Sequence, residues 1–180
     1  MKKKFLLKPG VLWITGLSGA GKTTISKLIY THLRKKYYNI ILLDGDKLRR
    51  MLNLKKQGTF SYNSRKKIGL RYSKICQRYV NKKYFVIISV MALIKSVHKW
   101  NKKNLKNYLD VYLKVPMKVL VRRDPKKIYR DYKLKKISNV DGLDLEFDEP
   151  INPTILIRWK KNLTSKKISD KIIKKIFLKK

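Results

Sequence analysis

The segment Gly16-Leu17-Ser18-Gly19-Ala20-Gly21-Lys22-Thr23-Thr24 has the residue types and spacing of a phosphate cradle. It fits G-x-x-x-x-G-K-[ST] at each fixed position. The glycines let the backbone curl so that successive N–H groups face an anion. A helix starting behind the turn adds favourable potential at its N-terminus. Lys22 can then reach the β- and γ-phosphates of ATP, and the Thr23 hydroxyl can bind Mg²⁺. The apolar run Val11 to Thr15 before the turn, and the helical stripe behind it, supply the context that a chance Gly-rich turn lacks.

Two acids follow the next apolar run, as Asp44-Gly45-Asp46. At the carboxyl end of a parallel strand such acids can face the phosphate site. Phosphoryl transfer to a hydroxyl needs a group that orients the nucleophile or accepts its proton, and ligands for the metal. Asp46 is the candidate for both roles, with Asp44 in support. Asp46 would cap a short helix through Leu48 equally well, and the two roles are compatible. A phosphate cradle leaves kinase, ATPase and GTPase open. The chain has no N/TKxD-type guanine-reading motif, and its 180 residues fit a nucleotide or small-metabolite kinase.

The elements that must hold these residues can be read from periodicity. Val11–Thr15, Asn39–Leu43, Phe85–Met91, Asp110–Val115 and Thr154–Trp159 read as five apolar strands. Ile25, Leu28, Ile29, His32 and Leu33 form a helical stripe, as do Ile68, Tyr72, Ile75 and Tyr79. Ser96–Asn107, Met117–Arg123 and Ser165–Phe177 read as further helices, and Asn139–Pro153 as an acid-rich loop. Strands that are apolar throughout and alternate with helices imply a parallel sheet covered on both faces. The expected fold is α/β, a P-loop NTPase with a five-stranded parallel sheet between helices. It forms a single kinase domain over residues 1–180, with a small lid near residues 122–136.

Thirty-seven lysines and ten arginines face eleven acids, a formal charge of +36. Alone this points to nucleic acid or an anionic surface. The lysines spread along the whole chain, and Ile, Asn and Tyr are abundant too. Drift in an A/T-rich genome accounts for that balance, with only weak nonspecific polyanion binding at low salt. Cys76 is the single cysteine, which excludes an intrachain disulfide and a Cys-rich zinc site. No run of about 18 apolar residues exists, so no membrane helix is expected. After the Lys-rich start the apolar run Phe5-Leu6-Leu7 is interrupted by Lys8, Pro9 and Gly10, unlike a signal peptide, and a cytoplasmic protein is expected. His32 and His98 have no partner spacing for a metal or a triad. His32 reads as structural, while Cys76 and Trp13 read as core.

Four blocks together resemble the adenylylsulfate kinase (APS kinase) family, over about Leu12 to Pro153. The first is Gly16 to Thr24. The second is Leu43-Asp-Gly-Asp-Lys-Leu-Arg49, like LDGDNxR. The third is Arg123-Asp-Pro-Lys126 with Tyr129, like RDPKGLY, with Lys127 at the family's glycine. The fourth is Gly142-Leu-Asp144 through Glu149-Pro-Ile-Asn-Pro153, like GID…P-x-N-P. The resemblance implies transfer of the ATP γ-phosphoryl group to the 3′-hydroxyl of a small nucleotide, in a homodimer. It further implies that Lys22 and Thr23 hold ATP and Mg²⁺, that Arg49 and Arg65 hold the acceptor's anionic groups, and that Phe60 stacks on its base. A forked guanidinium suits such groups because it bonds two oxygens at once.

The departures fall on the acceptor side. Ile68 stands at an acceptor-binding asparagine of DRxENIRR, and Leu70 at an arginine. Val140 stands at the second aromatic of the base sandwich, and Met91-Ala-Leu-Ile-Lys95 lacks the serine and proline of ISPxR. A lost stacking face costs about 0.5–1.5 kcal/mol, and a lost hydrogen bond about 1 kcal/mol. Adenylylsulfate is the expected acceptor. Cytidine diphosphoramidate, which a relative in this family phosphorylates, is the alternative, because a pyrimidine needs a smaller sandwich. The rivals from other classes are a basic nucleic-acid-binding P-loop protein and an inactive kinase kept as an interaction module. Intact Lys22, Thr23 and Asp46 oppose the last.

Overall fold

Val11, Leu12, Trp13 and Ile14 are all fully buried, although successive residues of a strand point to opposite faces. Both faces of this strand are therefore covered. In the computed structural model, which describes residues 4–54 and 61–178, it is the central strand β1 (Gly10–Thr15). With β2 (Ile40–Asp44), β3 (Phe85–Ser89), β4 (Tyr108–Lys114) and β5 (Ile155–Arg158) it forms one parallel sheet, in the order β2-β3-β1-β4-β5.

One face of the sheet carries Leu12 and Ile14. They share a core with Ile25, Ile29 and Leu33 of α1 (Lys22–Arg34) and with Ile172 and Ile176 of α7 (Ser165–Leu178). The other face carries Val11 and Trp13. These join Tyr72, Cys76 and Val80 of α3 (Tyr62–Asn81) and Val97 of α4 (Lys95–Asn104). Burial of Trp13 and Cys76 in this second core bears out their reading from sequence. Short helices α2 (Gly45–Met51), α5 (Met117–Arg123) and α6 (Ile128–Lys133) stand on the loops at the carboxyl ends of the strands.

Packing shifts several boundaries. The inward stripe of α1 is Ile25, Ile29 and Leu33, while His32 is exposed and Leu28 largely so. On α3 the buried face is Gly69, Tyr72, Ser73, Cys76 and Val80, with Ile68, Ile75 and Tyr79 flanking it. Strand β3 stops at Ser89, so Val90 and Met91 belong to the loop that borders the site. Helix α4 stops at Asn104, and β4 already begins at Tyr108. The basic segment after Asp124 contains α6.

The strand order determines where a ligand can sit. From β1 the chain passes to β2 on one side, and after β3 it crosses β1 to β4 on the other. The crevice at the carboxyl ends near this reversal is the expected binding place in an open parallel sheet. The loops after β1, β2 and β3 all open there.

Candidate active site

The turn between β1 and α1 is the cradle read from the sequence. Gly19 and Gly21 have φ of 76° and 91°, a left-handed conformation that glycine adopts without the strain of a Cβ. Gly21 is the N-cap of α1, so the helix starts at Lys22. The Lys22 ammonium donates to the Gly16 and Leu17 carbonyls, each at 2.8 Å. Burial, and then the positive charge of Lys126, lower its pKa from 10.5 to about 7, against the opposing pull of Asp46 and Asp44.

Asp44, rather than Asp46, is the acid beside Thr23. The Thr23 hydroxyl donates to Asp44 Oδ2 at 2.8 Å, and the Ser89 hydroxyl donates to the same oxygen at 3.1 Å. Strand register explains the second contact, because Asp44 pairs with Ser89 across β2 and β3. Asp44 is also the N-cap of α2, its Oδ1 accepting from the Asp46 amide at 3.0 Å. The capping role considered for Asp46 therefore belongs to Asp44. Burial disfavours the Asp44 carboxylate, but hydrogen bonds from Thr23, Asp46, Ser89 and Lys47 outweigh it and hold the pKa below the usual range. Asp46 lies in the first turn of α2, half-exposed, in an ion pair with Lys126.

The α5–α6 segment contacts the cradle. Arg123 Nη1 donates to the Gly19 carbonyl at 3.4 Å, and the Tyr129 hydroxyl donates to the Ser18 carbonyl at 3.0 Å. The cradle, Arg123, Pro125 and Lys126, with Asp44, Asp46 and Ser89, border a cavity of about 630 Å³. Phosphate oxygens fit its Lys22 and glycine-rich side. A magnesium ion fits the Thr23–Asp44 side, where hard oxygen ligands meet and waters and substrate phosphates can complete the shell. Among the described residues no group of three or more His, Cys, Asp or Glu could hold a metal without such help.

A second, smaller pocket of about 50 Å³ shares the wall formed by Arg49, Tyr72 and Met91. Ile68, Gly69, Ala92 and Ile94 make its apolar side, and Arg65, Asn139 and Asp141 its polar side. Arg49 thus lines both pockets. Arg65 lines the smaller pocket but is already engaged. It forms an ion pair with the buried Asp141, and its Nη2 donates to the Glu146 carbonyl at 3.1 Å. Val140 does not line the pocket. It is 5% exposed and belongs to the core cluster containing Leu17 and Leu120. The Asp144 carboxylate causes this turn, accepting from the amides of Asn139 and Val140 at 2.8 and 2.7 Å. Phe60 lies outside the described residues.

Tyr72, Ser89 and Asp141 are not singled out as site residues by the sequence, and Lys126 enters there only as a member of the third family block. Tyr72 was legible only as one member of a helical stripe, and Asp141 only as part of an acidic loop. Another groove, of about 600 Å³, runs between β5 and α7 and carries Lys167, Lys171, Lys174 and Lys175. It lies on the edge strand and includes none of the cradle residues.

The family model described as adenylylsulphate kinase matches residues 8–158. The cytidine diphosphoramidate kinase of Campylobacter jejuni is 36% identical over 172 residues, covering 94% of this chain and 98% of that protein. A probable adenylyl-sulfate kinase of Archaeoglobus fulgidus is 34% identical over 154 residues, covering 84% and 97%. The fold matches that of the Mycobacterium tuberculosis APS kinase in complex with AMPPNP and APS. That match has a TM-score of 0.84 and 23% identity, and covers 96% of this chain and 99% of that one.

Proposed function

The chain belongs to the adenylylsulphate kinase family, and from that premise we propose that it transfers the ATP γ-phosphoryl group to the 3′-hydroxyl of a nucleotide. The observation that carries the reading is one cavity in which Lys22 and the Thr23–Asp44 pair stand with Asp46. On ATP binding Lys22 leaves the Gly16 and Leu17 carbonyls for the β- and γ-phosphates. Thr23 and Asp44 are the residues that would hold Mg²⁺, directly or through water. The ion would neutralise charge on the β- and γ-oxygens. Asp46 orients the acceptor 3′-hydroxyl and takes its proton once Lys126 has moved aside. The oxygen–γ-phosphorus bond forms as the bond to the β-phosphate oxygen breaks, releasing ADP. Arg49 holds the acceptor's anionic groups, and a homodimer is the proposed assembly.

For the acceptor we place cytidine diphosphoramidate ahead of adenylylsulfate. Val140, which replaces the family's second stacking aromatic, is packed into the core and offers no ring to a purine. The 36% identity with a cytidine diphosphoramidate kinase, spanning nearly all of both chains, supports the same order. Adenylylsulfate is the second reading, favoured by the family match and the identity to adenylyl-sulfate kinases.

The test is phosphate transfer from ATP with Mg²⁺ to adenylylsulfate, cytidine diphosphoramidate, CDP and no acceptor, with product mass and position of phosphorylation read directly. Preference for the cytidine compound supports the order given. Rapid formation of 3′-phosphoadenylylsulfate reverses it, and turnover of neither removes the kinase reading. Lys22→Ala and Asp46→Ala should each reduce turnover about 10²–10⁴-fold with the thermal transition retained. Undiminished turnover in Asp46→Ala would remove its role as proton acceptor.

A further inference from the structure

We infer that the end of the molecule opposite the active site binds the surface of a membrane that contains anionic lipids. This does not depend on the kinase reading, and it concerns residues that the site does not use.

The carboxyl ends of the strands open on the active site, and three segments meet at the other end. The first is Phe5-Leu6, which leads towards β1. The second is Tyr37-Tyr38, between α1 and β2. The third is the end of α7, with Phe177 and Leu178. Phe5 and Tyr37 form an isolated parallel β-bridge. In it the Phe5 amide donates to the Lys36 carbonyl at 2.9 Å, and the Tyr38 amide to the Phe5 carbonyl at 3.2 Å. The rings of Tyr37 and Phe177 stack with centroids 6.0 Å apart. These contacts hold the three segments side by side. Even so, Phe5, Leu6 and Tyr38 are each more than half exposed, and Leu178 is 75% exposed. A lone exposed leucine is ordinary, but large apolar side chains gathered at one end and left in water mark a contact surface.

The neighbouring charges select the partner. Lys4 precedes Phe5, Lys35 and Lys36 precede Tyr37, and Lys174 and Lys175 lie one turn before Leu178; all five are exposed. The sequence has no acid before Asp44 and none after Asp170. Exposed apolar side chains flanked by cations fit an anionic bilayer surface. The leucines and rings enter the layer below the headgroups, and the ammonium groups meet the headgroup anions. Lysine can do both, since its long stem lies against apolar surface while its charge stays in water. A nucleic acid would use the cations and the rings but leave Leu6 and Leu178 in water. A second copy of the chain would set cation against cation. The charge of +36 alone would attract the protein to an anionic surface in any orientation. The apolar side chains single out this end, and the active-site crevice then faces away from the lipid.

The experiment is sedimentation of the full-length protein with vesicles of phosphatidylcholine, alone or with about 30% phosphatidylglycerol, in about 0.15 M NaCl. Binding should be at least about tenfold tighter to the anionic vesicles. Leu6→Ser combined with Leu178→Ser leaves the charge unchanged and should weaken that binding about tenfold. Lys174→Glu with Lys175→Glu should weaken it more than Lys160→Glu with Lys161→Glu, an equal change of charge beyond β5 at the carboxyl ends of the strands. The fluorescence of Leu6→Trp should be quenched by vesicles with brominated lipid tails. Equal effects of the two lysine pairs, with no effect of the leucine pair, overturn the inference, because binding is then spread over the whole surface. So does a failure of the unaltered protein to bind anionic vesicles. Loss of single-stranded DNA binding in the leucine variant to the same degree overturns it in favour of a nucleic-acid surface. A changed oligomeric state in that variant, read by light scattering, overturns it in favour of an interface between copies. If the leucine variant does not fold, Leu6→Trp decides alone, and absence of quenching overturns the inference.

Discussion

Lys22 shows how much of a residue's behaviour comes from where it is held. Its ammonium is sunk into its own loop beside Lys126, and its pKa of about 7 lies far below the ordinary 10.5. ATP phosphates would reverse that shift by stabilising the charged form. ATP binding at about pH 8 should therefore take up a proton, and binding at about pH 6 should take up almost none. Titration calorimetry in buffers of different ionisation enthalpy measures this, and Lys22→Met should abolish it. The linkage also has a consequence without ligand. Between pH 7 and 10.5 the unfolded chain keeps a proton that the folded chain has released. The unfolded state binds more protons there, so this residue makes stability rise with pH across that window. A proton uptake that persists in Lys22→Met would assign it elsewhere.

Among the elements, the α5–α6 junction is one of several places with a left-handed non-glycine residue: Lys127 enters α6 with φ of 58°. The turn is held by the Lys127 amide donating to the Asp124 carbonyl at 3.1 Å. The Arg130 amide donates to Asp124 Oδ2 at 2.9 Å. Lysine in a left-handed conformation pays the steric cost of its Cβ, and the resembling family block has glycine at this place. Lys127→Gly should stabilise the chain by about 0.5–1 kcal/mol, less the entropy that glycine gains when unfolded. The urea midpoint should rise with an unchanged slope. A lowered midpoint would mean that the lysine side chain contributes more than the turn costs it. The same junction places Lys126 in an ion pair with Asp46.

For the whole molecule the dominant quantity is the charge of +36. Among the described residues Arg65, Lys102, Lys114, Lys126 and Arg130 lie in ion pairs, while acids are outnumbered by cations and like charges repel in the compact state. Raising NaCl from about 0.02 to 0.3 M should therefore raise the melting temperature, because the Debye length falls below the spacing of most surface charges. A melting temperature that falls with salt would show that ion pairs outweigh the repulsion. Polyanion binding should weaken steeply over the same range if it is nonspecific. Among the described residues no helix is long and apolar enough to cross a membrane.

Residues that act through their own neighbours in sequence were legible without the structure. The phosphate cradle is contiguous, and its glycines, lysine and threonine do their work through local backbone geometry. The strands were legible because full burial makes them apolar at each position, although their ends moved by a few residues where packing decides them. The relation among distant side chains was decided only by the tertiary structure. Asp44 and Asp46 look alike in the sequence. The register of β2 on β3 gives Asp44 to Thr23 and Ser89, and the α5–α6 junction gives Asp46 to Lys126. Val140, read as replacing a stacking aromatic, is packed in the core, its amide donating to Asp144. Arg65, read as holding the acceptor's anionic groups, meets Asp141, which lies far away along the chain. Short-range patterns encode which chemistry the chain can do. Which groups face one another across the crevice depends on how the sheet brings separate loops to one end, and only the folded chain sets that.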